Sequence, residues 1–111
     1  MYYRIQQANH PLEWLLDPAH QFSTSYCTDD VRNGVSVCRS IEALAEYFAQ
    51  VGIPFDETCM LVEVDGERSE DRDEDAELGA LLVYPTEIIS ATPLPESFFE
   101  MVFAIYDNNA A

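Results

Sequence analysis

The chain has 111 residues, 48% of them apolar, which is enough for one domain with a single hydrophobic core. Its charge is extreme, because 21 Asp and Glu residues stand against five Arg and no Lys, giving a formal net charge of −16 at pH 7. A field of that sign repels nucleic acid and anionic membranes and attracts basic surfaces. Direct binding to nucleic acid or to a membrane is therefore not expected, whereas binding to a basic protein is.

The first third of the chain alternates short apolar segments with turn residues. Residues 2–6 predict a strand, since they are largely aromatic or β-branched. Pro11 suits the first turn of a helix, which would run to residue 16 and place Trp14 in the core. The polar residues 21–33 predict irregular structure.

The clearest helix signal follows a predicted strand at residues 35–38. Ser40 is a good N-cap, and Gly52 is a good C-terminal stop. Between them the apolar residues recur with helical spacing and form one continuous stripe. These residues are Ile41, Leu44, Ala45, Phe48 and Val51. We expect the stripe to pack against a sheet.

Three further strands and a last helix complete the predicted fold. Residues 59–64 and 80–84 are apolar runs typical of strands, and residues 87–92 predict another strand. Residues 96–106 predict a helix that is apolar around most of its circumference, which indicates deep burial or an interface. The sequence therefore predicts a single α+β domain over residues 1–111, with a four- or five-stranded, mostly antiparallel sheet and about three helices.

The most unusual segment lies between the strands predicted at residues 59–64 and 80–84. Nine of the fifteen residues from 63 to 77 are acidic and two are Arg. The rest of the chain still has twelve acids against three Arg, so the negative charge is not confined to this segment. We predict that residues 65–77 form a long anionic loop. A plainer interpretation is a solvated acidic surface on a housekeeping domain.

Motifs that commonly hold metals and cofactors are sparse. Asp71, Asp73 and Asp75 have the spacing that begins a calcium loop, but Ala76 and Leu82 stand where such a loop needs Gly and a bidentate Glu. The three aspartates are therefore weak metal candidates. No zinc-binding cysteine pattern and no Gly-rich phosphate loop appears, so no cofactor is expected.

Cys27, Cys38 and Cys59 are odd in number and widely spaced. Neither a signal peptide nor a long apolar span accompanies them. The simplest interpretation is a cytoplasmic protein with three free thiols. Cys38 and Cys59 lie in apolar runs, so we expect both to be buried.

One pattern of residues supplies an enzymatic alternative. Arg4 stands on the first predicted strand, Ser36-Val37-Cys38 leads into the predicted helix, and Glu77 precedes the strand at residues 80–84. This order of elements resembles a reduced ADP-ribosyltransferase fold, which carries an Arg or His on its first strand, a Ser-Thr-Ser strand and a late Glu. The resemblance implies a small enzyme that modifies a protein with NAD. Its catalytic residues would be Arg4, Ser36 and Glu77.

The composition resembles a second group of proteins. Small, acidic, Lys-free domains of this size are similar to phage-type DNA mimics, including anti-restriction and anti-CRISPR inhibitors, in which carboxylates replace phosphates. The resemblance implies a non-enzymatic inhibitor that binds a basic, nucleic-acid-binding protein surface, in the host cytoplasm if a phage encodes it. The residues expected to bind the partner are Glu67, Glu70, Asp71, Asp73, Glu74, Asp75 and Glu77, with Asp29 and Asp30.

Two related hypotheses remain open on composition alone. Acidic immunity or antitoxin proteins block a basic toxin by the same attraction between opposite charges. Separately, the apolar C-terminal helix is a candidate surface for a partner or for self-association. We favour the DNA-mimic inhibitor. Duplex DNA carries about one charge per 1.7 Å of its axis, so a mimic needs dense carboxylates, and residues 63–77 supply them.

Overall fold

The computed structural model describes residues 1–24, 31–73 and 75–110, and their fold is of the α+β class. In chain order its elements are β1 (Tyr2–Gln6), β2 (Phe22–Thr24), β3 (Val31–Asn33), β4 (Val35–Val37), α1 (Ile41–Val51), β5 (Met60–Arg68), β6 (Leu81–Pro93) and α2 (Glu96–Ala110). Short 3-10 helices lie at Leu12–Leu16, Pro18–His20 and Ala76–Leu78. The predicted fold class is confirmed, although the described residues contain two α-helices rather than about three.

Four strands form one antiparallel sheet in the order β1-β5-β6-β4, and β2 pairs with β3 separately. The two outer strands of the larger sheet also meet, because the backbone N–H groups of Tyr3 and Cys38 each donate to the other's carbonyl, at 2.8 and 2.9 Å. The sheet therefore curls towards closure. One of its faces is lined by β-branched residues, which suit a pleated surface: Val35, Val37, Val62, Val64 and Val83.

The two helices build a second apolar cluster around a group of phenylalanines. Phe48 of α1 and Phe98 of α2 meet edge-on, with ring centroids 6.2 Å apart, and Phe55 contacts them at 5.7 and 5.4 Å. Aromatic rings favour this edge-to-face geometry. Phe98 is 0% exposed and Phe48 is 7% exposed, so the burial predicted for the centre of the α1 stripe is confirmed.

The ends of α1 follow their sequence signals. The Ser40 hydroxyl accepts a hydrogen bond from the Ala43 N–H at 3.0 Å, which satisfies one of the free donors of the first turn. Gly52 adopts the left-handed conformation (φ 75°), and its N–H donates to the Phe48 carbonyl at 2.9 Å. Val51, the last member of the predicted stripe, is 41% exposed at the helix end.

β6 is a single strand of 13 residues, where the sequence predicts two strands at residues 80–84 and 87–92. Its register with β5 shifts at two points, and at each point β6 contributes one unpaired residue, Thr86 and Ile89. Such bulges bend a strand without ending it. They also explain how the strand continues through Pro85, which has no N–H for the ladder.

The predicted helix after Pro11 is instead the short 3-10 helix Leu12–Leu16, and the expectation that Trp14 anchors the core is wrong. Trp14 is 38% exposed and is stacked between His10 and His20, with ring centroids 5.8 and 4.4 Å away. Leu15 is the buried residue of this turn. Prolines on both sides leave too few residues for a regular α-helix.

α2 extends to Ala110, beyond the predicted end at residue 106. Phe98 and Val102 are buried in the core, whereas Phe103 and Tyr106 are 57% and 41% exposed. One apolar face of α2 therefore packs in the core, and a second apolar face lies on the surface. None of the helices in the described part of the chain is long and apolar enough to cross a membrane.

Candidate acidic interface

β5 continues into the acidic stretch, because residues 65–68 belong to the strand and not to the loop that the sequence predicts. Successive side chains of a strand point to opposite faces. Val62 and Val64 are buried on one face, so Glu63, Asp65 and Glu67 lie on the other face. Strand geometry places consecutive members of this trio about 6.7 Å apart.

The neighbouring strand adds carboxylates to the same face. Glu87 of β6 lies opposite Asp65, and Tyr84 of β6 lies opposite Glu67. The Tyr84 hydroxyl is 3.0 Å from both carboxylate oxygens of Glu70, which brings this loop residue beside the strands.

The other end of the trio approaches α1. The Tyr3 hydroxyl donates to the Glu63 carboxylate at 2.9 Å. That hydrogen bond, together with burial and the charges of Glu63 and Glu42, raises the pKa of Tyr3. Glu42 therefore lies close enough for its charge to act on the Tyr3 hydroxyl. We name the set the acidic row: Glu42, Glu63, Asp65, Glu67, Glu70 and Glu87.

The acidic row is not neutralised within the described residues, where the one ion pair joins His20 to Asp17 at 3.0 Å and includes no member of the row. All members except the half-buried Glu63 are exposed. Like charges directly opposite each other in an antiparallel pair are destabilising, as Asp65 and Glu87 are here. The row is therefore a fixed surface of uncompensated negative charge.

The loop that follows β5 is pinned to the domain by its own acids. Asp71 accepts a hydrogen bond from the Asn33 N–H at 2.6 Å, and Asp75 accepts one from the Tyr47 hydroxyl at 2.7 Å. Asp73 is 7% exposed and accepts from the Asp75 N–H at 2.8 Å. These carboxylates are thus directed towards backbone and side-chain donors of the protein itself.

The residues predicted to bind a partner fall into three groups. Glu67 and Glu70 lie in the acidic row, and Glu77 is exposed on the 3-10 helix beyond the loop. Asp71 and Asp75 are half-buried and Asp73 is buried. Asp29, Asp30 and Glu74 lie outside the described residues. Glu63 and Asp65 belong to the predicted acidic stretch but not to the named binding residues, and Glu42 and Glu87 lie outside that stretch; these four residues complete the row.

The three aspartates considered for calcium hold different partners. Asp71 faces Asn33 of β3, whereas Asp75 faces Tyr47 of α1. Across residues 1–24, 31–73 and 75–110, no group of three or more His, Cys, Asp or Glu side chains is arranged to hold a metal ion.

Two of the three transferase-like candidates are in contact. The Arg4 guanidinium donates from Nη1 to the Ser36 carbonyl at 3.1 Å, and burial lowers its pKa to about 10. Its Nε is buried without a hydrogen-bond partner. Glu77 is exposed, and no hydrogen bond or ion pair among the described residues links it to Arg4 or Ser36.

Cys38 and Cys59 are buried and free, as expected from their apolar surroundings. Burial raises the pKa of the Cys38 thiol to about 12, with the charge of Asp73 as the second cause. Thiolates, not thiols, are the nucleophiles and metal ligands. Cys38 is therefore a packing residue at neutral pH. Cys27 lies outside the described residues.

Tyr47 of α1 holds the loop that follows β5 through its hydrogen bond to Asp75, and the substitution Tyr47→Phe tests this contact. The residue is 8% exposed and the substitution removes only the hydroxyl that binds Asp75. Hydrogen bonds to charged groups contribute about 1.5–3 kcal/mol, and Asp75 is only half-buried, so we expect a loss of about 1–2 kcal/mol in the free energy of unfolding. Urea denaturation measures the loss.

Tyr106→Phe is the matched control for that variant, because Tyr106 is 41% exposed. Its cost should stay within about 0.5 kcal/mol, as for ordinary surface substitutions. Hydrogen exchange of residues 69–79 should quicken in Tyr47→Phe alone. Equal stability of the two variants would show that the Tyr47 hydroxyl does not hold the loop.

Comparisons with known proteins add nothing to this geometry. No protein-family model, curated protein or solved structure matches the chain. A function for the chain therefore has to be inferred from its own residues.

Proposed function

We propose that the protein is a non-enzymatic inhibitor that binds a basic, nucleic-acid-binding surface of another protein through the acidic row. The observation that carries this proposal is the trio Glu63, Asp65 and Glu67 on one face of β5, extended by Glu87 across the strand pair. Their carboxylates form a polyanion without a described cationic partner.

A strand is a suitable scaffold for such a polyanion because it fixes the separation of its side chains. Consecutive members of the trio repeat about every 6.7 Å along the strand. A nucleic-acid strand likewise presents its charges at regular intervals along an extended backbone. Carboxylates on a strand need no ordering of a loop before binding, so less conformational entropy is lost.

The charge of the whole chain supports the same role. A net charge of −16 steers a basic partner towards the protein and raises the association rate. Close charge pairs across an interface couple by about 1.5–7 kcal/mol, whereas charges at the rim mainly affect the rate. The central members of the row, Asp65 and Glu67, are therefore expected to carry most of the affinity.

Charge reversal within the row tests the proposal. The test variant is Asp65→Lys, Glu67→Lys and Glu87→Lys, at exposed positions on the two paired strands. The matched control is Glu13→Lys, Glu46→Lys and Glu57→Lys, also exposed and outside the row. Both variants change the formal charge by six units, from −16 to −10, so they differ in the location of the change alone.

The assay is inhibition of purified proteins whose DNA sites are basic: a CRISPR effector complex, a restriction enzyme and a bacterial toxin nuclease. We expect the original protein to displace DNA from at least one of them. The row variant should lose at least tenfold in affinity, which corresponds to about 1.4 kcal/mol, while the control should lose much less.

Salt and folding controls complete the experiment. Raising the salt from about 0.1 to 1 M shortens the Debye length from about 10 to 3 Å, so binding should weaken steeply. Circular dichroism checks that both variants are folded. The proposal fails if no member of the panel is inhibited, or if a folded row variant binds as tightly as the control. The toxin nuclease result distinguishes an immunity protein from a phage-type inhibitor.

A further inference from the structure

α2 carries an aromatic surface that the acidic row does not include. Phe103 and Tyr106 are 57% and 41% exposed, and Phe99 is half-buried against Phe55 with ring centroids 5.1 Å apart. These three residues of α2 follow spacings of four and three, so they lie along one stripe of the helix.

The stripe continues onto the end of α1. The Tyr106 hydroxyl is 3.9 Å from the position that a Cβ at Gly52 would take, and Val51 beside it is 41% exposed. We name Val51, Phe99, Phe103 and Tyr106 the α2 patch. Its exposed side chains are large, apolar and adjacent, which is the usual character of a protein-binding surface.

An acidic stripe borders the α2 patch. A helix turns about 100° per residue, so Glu96, Glu100 and Asp107 follow one another along one side of α2. This side is next to the line of Phe99 and Phe103. All three acids are exposed. Neither α1 nor α2 contains a Lys or Arg, so the acids face no basic residue on either helix.

We propose that the α2 patch binds an amphipathic basic helix of a partner protein. The apolar stripe of that helix would cover Phe103 and Tyr106, and its flanking Lys and Arg residues would pair with the acidic stripe. Helices commonly bind through apolar residues at i, i+3, i+4 and i+7, which matches the spacing here. This inference uses residues outside the acidic row and does not depend on the function proposed for the row.

Charge complementarity favours this occupant over a second copy of the chain. Two copies that joined through the α2 patch would bring Glu96, Glu100 and Asp107 of each chain against the same acids of the other. Like charges placed close together at an interface cost several kcal/mol. A basic amphipathic helix replaces that repulsion with attraction.

The probe is a designed Leu/Lys peptide of about 18 residues, long enough to be helical, with its leucines on one face. A Ser/Lys peptide of equal charge measures binding by charge alone. The test variant of the protein is Phe103→Ser. Its matched control is Ile89→Ser, because Ile89 is also exposed, at 42%, but lies on β6 away from the patch.

We expect the original protein to bind the Leu/Lys peptide at least tenfold more tightly than the Ser/Lys peptide, by fluorescence anisotropy. Phe103→Ser should abolish that difference, while Ile89→Ser and the charge-reversed row variant should retain it. Equal binding of the two peptides, or an unchanged preference in Phe103→Ser, overturns the proposal. Self-association that Phe103→Ser abolishes, seen by sedimentation equilibrium without peptide, overturns it in favour of a second copy.

Discussion

Replacing Phe98 by Ala is expected to lower the free energy of unfolding by about 3–5 kcal/mol, the largest loss of any substitution considered for this chain. Phe98 is 0% exposed and packs edge-on against Phe48 and Phe55. Removing its ring forfeits the transfer energy and leaves a cavity where α1 and α2 meet. Chemical denaturation followed by circular dichroism measures the loss.

Phe103→Ala is the matched control for Phe98→Ala, since it removes the same ring from the same helix at a position that is 57% exposed. Its cost should be below about 1 kcal/mol, because little buried surface is lost. The two variants therefore separate packing from helix propensity, which changes identically in both. Similar losses would mean that Phe98 is not the centre of the helix-side core.

Gly66→Ala is expected to destabilise the protein by about 3 kcal/mol, at the upper end of the usual cost of overpacking. A Cβ at Gly66 would overlap the carbonyl oxygen of Tyr84 and lie 2.9 Å from the Cα of Pro85. These are backbone atoms of a paired strand, so they cannot move aside as a flexible side chain does. The strand pair that carries the acidic row would have to separate.

Gly79→Ala provides the comparison for Gly66→Ala. A Cβ at Gly79 would meet no neighbouring atom within 4 Å, so the φ of +97° is the source of any cost. Left-handed backbone costs a non-Gly residue about 1–2 kcal/mol. Thermal unfolding should therefore show the larger loss in Gly66→Ala. A smaller loss there than in Gly79→Ala would show that β5 and β6 are not in close contact at this position.

The parts of the fold that sequence patterns predict best are those with local causes. α1 is the clearest case, because its cap at Ser40, its stop at Gly52 and the periodicity that places Phe48 on its apolar face are all contained in residues 40–52. β1 is similar, since its aromatic and β-branched residues favour a strand. Local propensity and tertiary packing agree in these segments.

The errors arise where tertiary contacts decide the structure. Nothing near Pro85 in the sequence shows that β5 will pair with β6 on both sides of it, so two strands are predicted instead of one bulged strand. Trp14 is a large apolar residue of the kind that usually lies in a core. The 3-10 helix that contains it instead buries Leu15 and stacks the Trp14 indole between two histidines. Propensity alone does not determine which of two adjacent apolar residues is buried.

The candidate site shows the same division. Composition identifies the acidic stretch, and the alternation of Glu63, Val64 and Asp65 already has the period of a strand. The density of acids predicts a loop over residues 65–77, but pairing with β6 keeps residues 65–68 in the sheet. Glu42 and Glu87 join the row through α1 packing and strand register, which no local pattern contains.

The pairing of β1 has a consequence for the order in which the protein is built. Tyr3 lies opposite Glu63, so the strand that forms a full ladder with β1 is synthesised 60 residues later, whereas the single bridge from Tyr3 to Cys38 joins residues nearer in the sequence. Contacts so distant in sequence are slow to form, because loop closure has to precede them. During synthesis the β1–β5 ladder therefore forms only after β5 has left the ribosome.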